Sequence, residues 1–73
     1  MSEVRVLSDI DARVWKIEVA PGDSVAVDDV LLILEAMKTE IPVEAPKAGR
    51  VKEILVKEEE PVSEGQALLI LEV

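Results

Sequence analysis

The 73-residue chain contains no cysteine and no histidine, and Trp15 is its only aromatic residue. The absence of cysteine excludes disulfides, thiolate metal sites and cysteine nucleophiles. Without histidine, the chain also lacks the commonest general base and the commonest metal ligand. A single aromatic side chain offers no platform on which nucleic-acid bases could stack. The composition therefore argues against most kinds of catalytic and nucleic-acid-binding site.

Basic residues and long apolar runs are also scarce. Eight Lys and Arg residues stand against 16 Asp and Glu residues, so the net charge is 8 − 16 = −8. Such a chain repels phosphate backbones, and we expect no nucleic-acid partner. No apolar run approaches the roughly 20 residues that a membrane helix needs, and we expect no membrane partner. The start MSEVRVLSDID lacks a basic segment followed by an apolar one, which predicts no signal peptide and a cytoplasmic protein.

What the chain does contain is enough apolar material for a small core. Hydrophobic residues make up 49% of the sequence, which is too many for a disordered tail. Most are Val, Ile and Leu, and the β-branched members of this set favour strands. A length of 73 residues predicts one domain, spanning 1–73, with a modest core.

An internal repeat organises this domain. Residues 12–36 align with residues 49–73 at an offset of 37 without a gap, and 10 of the 25 aligned positions are identical. Each copy contains a strand-length apolar segment, a turn, a short segment, a second turn and the sequence LLILE. Two copies are too few for a solenoid, which needs at least about three repeats. The repeat predicts a compact domain with pseudo-two-fold symmetry.

The segments and turn signals favour an all-β fold over short helices. The two LLILE strands are expected at the symmetric centre of a small sandwich or flattened barrel. Segments 3–7 and 40–46 supply further strands. Because Pro42 has no N–H to donate, it must then lie at a sheet edge or at a position that the ladder does not need. A helix over residues 30–37 would contradict this fold.

The link between the halves is an unusual hairpin. If Met37 and Lys38 are its two central residues, Ala36 pairs with Thr39. Glu35 then faces Glu40. A type I′ turn would require positive φ at both central residues, which costs on the order of 1 kcal/mol each relative to Gly. Carboxylates facing each other across strands are also unfavourable. A tip that is unfavourable on two counts is a candidate functional site.

Lys38 is poorly equipped as a nucleophile of the chain's own. A catalytic lysine needs burial or neighbouring cations to lower its pKa, whereas the neighbours here in the sequence are carboxylates. We therefore expect a non-catalytic protein that presents Lys38 as a handle for another enzyme to modify. The competing interpretation is an ordinary solvated turn lysine, with Met37 folded back onto the strands.

The segment EAMKTEIPVEAP resembles the attachment motif of biotinyl domains, in which Met-Lys typically lies within Ala/Ser-Met-Lys-Met. The segments on both sides are also similar to the biotin/lipoyl attachment family, so the resemblance covers about residues 4–73. Within that family the sequence looks most like the biotin carboxyl carrier protein of biotin-dependent carboxylases.

This resemblance implies a flattened barrel, or sandwich, of two four-stranded antiparallel sheets with the lysine on an exposed hairpin. It implies that a biotin protein ligase joins biotin to the Lys38 amine as an amide. Met37 would serve recognition, with Glu35, Ala36 and Thr39 completing the site. The biotin would carry a carboxyl group between a biotin carboxylase and a carboxyltransferase, with an acyl-CoA as the expected substrate. No metal is implied.

Two departures and two alternatives accompany the resemblance. Thr39 replaces the usual second Met, which leaves open a lipoyl carrier or a dual biotin and lipoyl acceptor. Lipoyl domains usually have Asp-Lys-Ala, and this chain has neither flank. An unmodified structural module that uses its surface for binding is the alternative from a different class. Glu59 replaces a frequent Gly, so we expect the turn at 58–61 to be reshaped around Pro61.

The remaining conspicuous residues have structural interpretations. Trp15 is expected to be a partly buried packing residue, and contact with a partner is the alternative. The acidic run at 57–60 is expected to be a solvated turn and not a metal site. Gly22, Gly49 and Gly65 are expected where the backbone needs positive φ or a close approach.

Overall fold

The computed structural model describes residues 2–73, which form eight β-strands and no helix. The strands are β1 (Glu3–Leu7), β2 (Ala12–Ile17), β3 (Ser24–Val25), β4 (Val30–Ala36), β5 (Thr39–Glu44), β6 (Gly49–Ile54), β7 (Pro61–Val62) and β8 (Ala67–Glu72). Residues 30–36 are thus a strand, as predicted. Within residues 2–73 there is accordingly no helix of the length and hydropathy needed to cross a membrane.

The strands form two four-stranded sheets in which every pair is antiparallel. One sheet has the order β1-β8-β6-β3, and the other has the order β5-β4-β2-β7. We call them the β8 sheet and the β4 sheet after their leucine-rich strands. The two sheets share no strand, so the arrangement is a sandwich that is not closed into a barrel. The predicted all-β fold with two four-stranded antiparallel sheets is confirmed.

The pseudo-two-fold symmetry extends to strand register. Glu3 pairs with Glu72 in the β8 sheet, and Glu40 pairs with Glu35 in the β4 sheet, so a shift of 37 residues converts one pair into the other. The same shift relates the register irregularities of β2 and β6, which lie between residues 14 and 16 and between 51 and 53. The structural repeat therefore also includes β1 and β5, which the sequence alignment did not cover.

The core consists of aliphatic side chains facing each other between the sheets. Its six leucines are at most 1% exposed, and β4 and β8 supply three each: Leu31, Leu32, Leu34, Leu68, Leu69 and Leu71. Burying one leucine contributes about 1.5–3 kcal/mol relative to leaving it exposed. The neighbours Leu31 and Leu32 are both buried because the register with β5 shifts between Val30 and Leu32. The prediction that LLILE forms the central strands is confirmed.

Pro42 lies on β5, which is an edge strand of its sheet. An edge position tolerates proline because only one side of the strand needs a complete ladder. Proline also blunts the edge against pairing with another chain. The predicted edge position of Pro42 is confirmed.

Four tight turns connect the short strands to the longer ones, and they obey the same symmetry. Gly22 and Glu59 have φ values of 95° and 72°, and Asp28 and Gly65 have φ values of 72° and 85°. The expectation that Glu59 reshapes its turn is therefore wrong. Its N–H donates to the Val14 carbonyl oxygen at 2.6 Å, which holds the left-handed backbone in place.

A side chain closes each of these four turns. In every case an oxygen of the later residue accepts a hydrogen bond from a backbone N–H three residues earlier. The donor and acceptor residues are Ala20 with Asp23 (2.8 Å), Lys57 with Glu60 (3.1 Å), Ala26 with Asp29 (2.8 Å) and Ser63 with Gln66 (3.0 Å). Backbone and side-chain hydrogen bonds thus both hold these turns. This explains how Asp28 and Glu59 occupy left-handed positions that favour glycine.

The glycines divide into the two expected kinds. Gly22 and Gly65 have positive φ and open space around the position that a Cβ would take. A Cβ on Gly49 would lie 2.5 Å from the Glu72 carbonyl oxygen and 2.9 Å from Cγ1 of Val73. Gly49 is therefore required by a close approach of neighbouring strands.

The strained turn at Glu59 generates a stability prediction. Replacing Glu59 with Gly removes the left-handed penalty, so we expect the free energy of unfolding to rise by about 1 kcal/mol. The symmetry-related Gly22→Ala is the matched control and should lower it by a similar amount, since only φ opposes the added methyl group. Urea unfolding followed by Trp15 fluorescence measures both changes. A destabilised Glu59→Gly protein would show that the glutamate side chain holds the turn.

Candidate functional site

The hairpin between β4 and β5 has the predicted geometry. Ala36 pairs with Thr39, and Met37 and Lys38 are the central residues with φ values of 51° and 63°. Both central residues are left-handed, as a type I′ turn requires. The tip therefore holds two non-glycine residues where glycine or asparagine would cost less.

The two central side chains point away from the fold. Met37 is 96% exposed, Lys38 and Thr39 are exposed, and Ala36 is half-buried. The core begins at Leu34, which is 1% exposed. Met37 is thus not folded back onto the strands, and the interpretation of the tip as an ordinary packed turn does not hold for it.

The first pair below the tip brings two carboxylates together, as predicted. Glu35 on β4 faces Glu40 on the edge strand β5. On the other side of Glu35, β2 places Arg13 directly opposite it. A cation in the adjacent position offsets part of the repulsion between the two glutamates. This contribution of Arg13 was not predicted from the sequence.

The hairpin projects from one end of an elongated molecule whose principal extents are 36 × 18 × 17 Å. Strand β1 begins beside Val73, since Ser2 and Val73 exchange two backbone hydrogen bonds of 3.1 and 2.9 Å. It runs to Leu7, and a four-residue link then enters β2 at Ala12, close to the hairpin end of the β4 sheet. Lys38 therefore lies at the opposite end of the molecule from Ser2 and Val73.

This arrangement presents a primary amine with free access. The chain places no buried group and no second cation beside Lys38 in the register of the hairpin. Such an amine is suited to accept an acyl group that another protein has activated. An exposed amine on a rigid tip also fits the amide attachment of a carboxylic acid cofactor.

The acidic run after β6 is engaged in the turn. A carboxylate oxygen of Glu58 accepts the backbone N–H of Ile17 at 3.0 Å, and Glu60 closes the turn as described above. Within residues 2–73 no group of three or more His, Cys, Asp or Glu residues is arranged to hold a metal ion.

Two surface features lie away from the hairpin. Trp15 is partly buried, as expected, and 45% of its surface is exposed on the outer face of the β4 sheet. A groove of about 400 Å³ also lies between the two edge strands β1 and β5. Its apolar lining includes Val6, Leu7, Ile10, Ile41, Pro42 and Val43. Comparing the differing positions of the repeat, rather than the identical ones, would have revealed Trp15, since the equivalent residue is Lys52.

Known proteins share this fold and this sequence. Residues 6–71 match the biotin/lipoyl family described as "Biotin-requiring enzyme". The biotin/lipoyl attachment protein of Bacillus subtilis (strain 168) is 45% identical over 59 residues, which are 81% of either chain. A urea amidolyase of Lachancea kluyveri is 40% identical over 67 residues, but this match spans 92% of the chain and 4% of the relative.

A relative of the lipoyl type is equally similar. The dihydrolipoyllysine-residue acetyltransferase component of the Haemophilus influenzae pyruvate dehydrogenase complex is 42% identical over 62 residues, covering 85% of the chain and 11% of that protein. The chain therefore spans only a small part of these larger relatives.

Solved structures with this fold include two carboxylases. The urea carboxylase of Kluyveromyces lactis superimposes with a TM-score of 0.91 and 37% identity, over 97% of the chain and 6% of that structure. A single-chain, multi-domain long-chain acyl-CoA carboxylase superimposes with a TM-score of 0.88 and 28% identity, over 93% and 7%. With the family match over 6–71 and the shared sandwich, the chain belongs to the biotin/lipoyl attachment family.

Proposed function

We propose that the chain is a biotin carboxyl carrier and that Lys38 is the residue to which biotin is attached. The observation that carries this proposal is the tip itself. Lys38 stands on a left-handed hairpin beside a methionine that is 96% exposed. Folding alone would favour glycine or asparagine there, so the two residues are retained for what they present to other proteins.

Attachment of biotin requires no catalytic group from the chain itself. A biotin protein ligase activates the biotin carboxyl group as an acyl-adenylate, and the neutral amine of Lys38 displaces AMP to form an amide. The proton that the amine loses is taken up by the ligase or by water. The chain contributes access and placement, because both central residues of the tip lie outside the core. When attached, biotin supplies a ring nitrogen that can carry a carboxyl group.

The carrier works between partners and has no catalytic group of its own. We propose that a biotin carboxylase adds the carboxyl group and that a carboxyltransferase removes it. Two similar structures are carboxylases in which the matching part is 6% and 7% of the chain, which supports a division of labour among domains. A tether raises the effective concentration of the cofactor at both catalytic sites.

The substrate and the location are further parts of the proposal. A urea carboxylase and an acyl-CoA carboxylase both contain the fold, so the acyl-CoA substrate expected from the sequence stays a prediction. The cytoplasmic location likewise stays a prediction from the sequence.

A lipoyl carrier is the second candidate function. The similarity to a dihydrolipoyllysine-residue acetyltransferase component favours it, as does Thr39 in place of a second methionine. Biotin is preferred because Met37 precedes the lysine, where lipoyl domains usually have Asp. The two cofactors would use the same amine and the same kind of amide bond.

The attachment site generates the first functional prediction. After co-expression with a biotin protein ligase, the intact mass of the chain should increase by one biotin, and Lys38→Arg should abolish the increase. The chain offers Lys16→Arg as a matched control, because Lys16 is an exposed lysine on β2 and should leave labelling unchanged. No increase in mass, or an increase that survives Lys38→Arg, would refute the proposal.

The flanking residues generate a second prediction. Because Met37 is almost fully exposed, Met37→Ala should change the free energy of unfolding far less than the 2–5 kcal/mol typical of a buried methionine. It should instead slow ligation or carboxylation, since a flexible thioether gives an enzyme an adaptable apolar contact. Thr39→Met should leave ligation intact and preserve or improve turnover. Normal ligation and turnover by Met37→Ala would remove Met37 from the site.

A further inference from the structure

The internal symmetry of the chain allows one sheet to serve as a control for the other. The two sheets have the same strand register and the same bulge. On their outer faces, however, three pairs of positions related by the 37-residue repeat carry different kinds of side chain. On the β4 sheet these positions are Trp15, Lys16 and Pro42, and on the β8 sheet they are Lys52, Glu53 and Arg5. Ile33 and Ile70 occupy the matching centres. The β4 sheet thus presents Trp15, Pro42 and the half-buried Ile33, which we call the apolar patch, with Lys16 beside Ile33 in the same row.

Strand alternation from the buried Val14 puts Trp15 on the outer face, and the bulge in β2 keeps Lys16 on that face as well. Val14 pairs with Leu34 and Lys16 pairs with Ile33, so Trp15 is the extra residue of the bulge. Two residues of a bulge oppose one on the partner strand and re-aim the local side chains. Val14 is fully buried, whereas Trp15 is 45% exposed.

The β8 sheet shows which side chain the same bulge accepts in the other half of the chain. There Lys52 forms an ion pair with Glu3, which is the only one within residues 2–73. The hydrogen bond to Lys52 lowers the pKa of the Glu3 carboxyl group, and the same contact raises the pKa of Lys52. In the β4 sheet the equivalents of these two residues are Trp15 and Glu40. A lysine therefore satisfies this bulge, and tryptophan is not required for folding.

The patch lies on the outer face of the two hairpin strands, below the tip that carries Lys38. Ile33 and Pro42 pair three residue steps below Ala36 and Thr39, which is about 10 Å at the rise of a strand. The intervening row on the same face carries Glu35 and its two neighbours, and two of these three side chains are carboxylates. Toward Lys38 the surface thus carries the carboxylates of Glu35 and Glu40 together with the guanidinium of Arg13.

We propose that this patch is the docking surface for the biotin protein ligase, an inference that rests on the proposed function. Before modification the ligase has only protein surface to bind. Two tip residues bury far less than the roughly 1,200 Å² of a stable interface, so further surface must contribute. Tryptophan is enriched among residues that dominate binding energy. The ligase is the partner to which we assign the patch, because the patch lies only about 10 Å below the pair that flanks the tip whose amine this enzyme must acylate.

The test replaces Trp15 with the residue that the other half of the chain uses. Trp15→Lys should fold normally, because Lys52 occupies the equivalent bulge, and urea unfolding followed by far-UV circular dichroism checks this in a variant that has no tryptophan. In steady-state biotinylation we expect KM for Trp15→Lys to rise about tenfold while kcat stays nearly unchanged. Lys52→Ala, on the opposite face, is the matched control and should leave both constants unchanged.

A binding measurement separates docking from chemistry. Lys38→Arg should inhibit biotinylation of the wild-type chain competitively, and adding Trp15→Lys should raise its inhibition constant by the same factor as KM. With 5-fluorotryptophan the chain has a single ¹⁹F resonance, which should shift or broaden as unlabelled ligase is added. The docking surface alone would be overturned if the wild-type chain is labelled, KM for Trp15→Lys is unchanged and the ¹⁹F resonance does not move. An unlabelled wild-type chain would overturn the proposed function and, with it, this inference.

Discussion

The packing of the leucine-rich strands β4 and β8 against each other is the interaction on which the rest of the molecule depends. Six leucines that are almost completely buried join two sheets that share no strand. Because a one-residue slip would turn these side chains to solvent, their burial also determines the register of every neighbouring strand. The register in turn determines which two residues form the hairpin tip. The position of Lys38 thus follows from packing that lies entirely outside the site.

The free energy that this packing contributes offsets the cost of a locally unfavourable tip. Two left-handed, non-glycine residues cost on the order of 1 kcal/mol each, and the facing carboxylates of Glu35 and Glu40 add to this. Six pairs hold β4 and β5 together below the tip, and Arg13 on β2 lies beside Glu35. A rigid support with an exposed end is what a carrier needs, because the lysine must enter the active sites of other proteins without unfolding the domain.

The sequence predicted most of this structure because its strongest signals are periodic and duplicated. The repeat and the LLILE segments led to the sandwich, and the lack of glycine at the tip led to Met37 and Lys38. The turn at Glu59 was misjudged because local preference was weighed alone. In the structure, a hydrogen bond to Val14 and the side chain of Glu60 hold that backbone. The surroundings of Trp15 could not be read from the sequence, because the bulge in β2 puts Lys16 on the same face as Trp15 without a clear signal in the residues.

Symmetry separates what the fold requires from what function has added. Positions that agree between the halves, such as the buried leucines and the turn-closing side chains, are explained by packing and hydrogen bonding. Positions that differ, such as Trp15 and Pro42 against Lys52 and Arg5, lie on exposed faces with the same backbone. At these positions the sheet that carries Lys38 has the apolar residues Trp15 and Pro42, where the other sheet has Lys52 and Arg5.

The central claim is that this tip is built for biotin, although its family serves two cofactors. The most direct measurement is a competition in which the unmodified chain is exposed to a biotin protein ligase and a lipoate protein ligase together, each with its cofactor and ATP. Intact mass spectrometry then gives the ratio of the two products. The account predicts that the biotinylated chain predominates and that Met37→Asp shifts the ratio toward lipoate. Predominant lipoylation of the wild-type chain would contradict it.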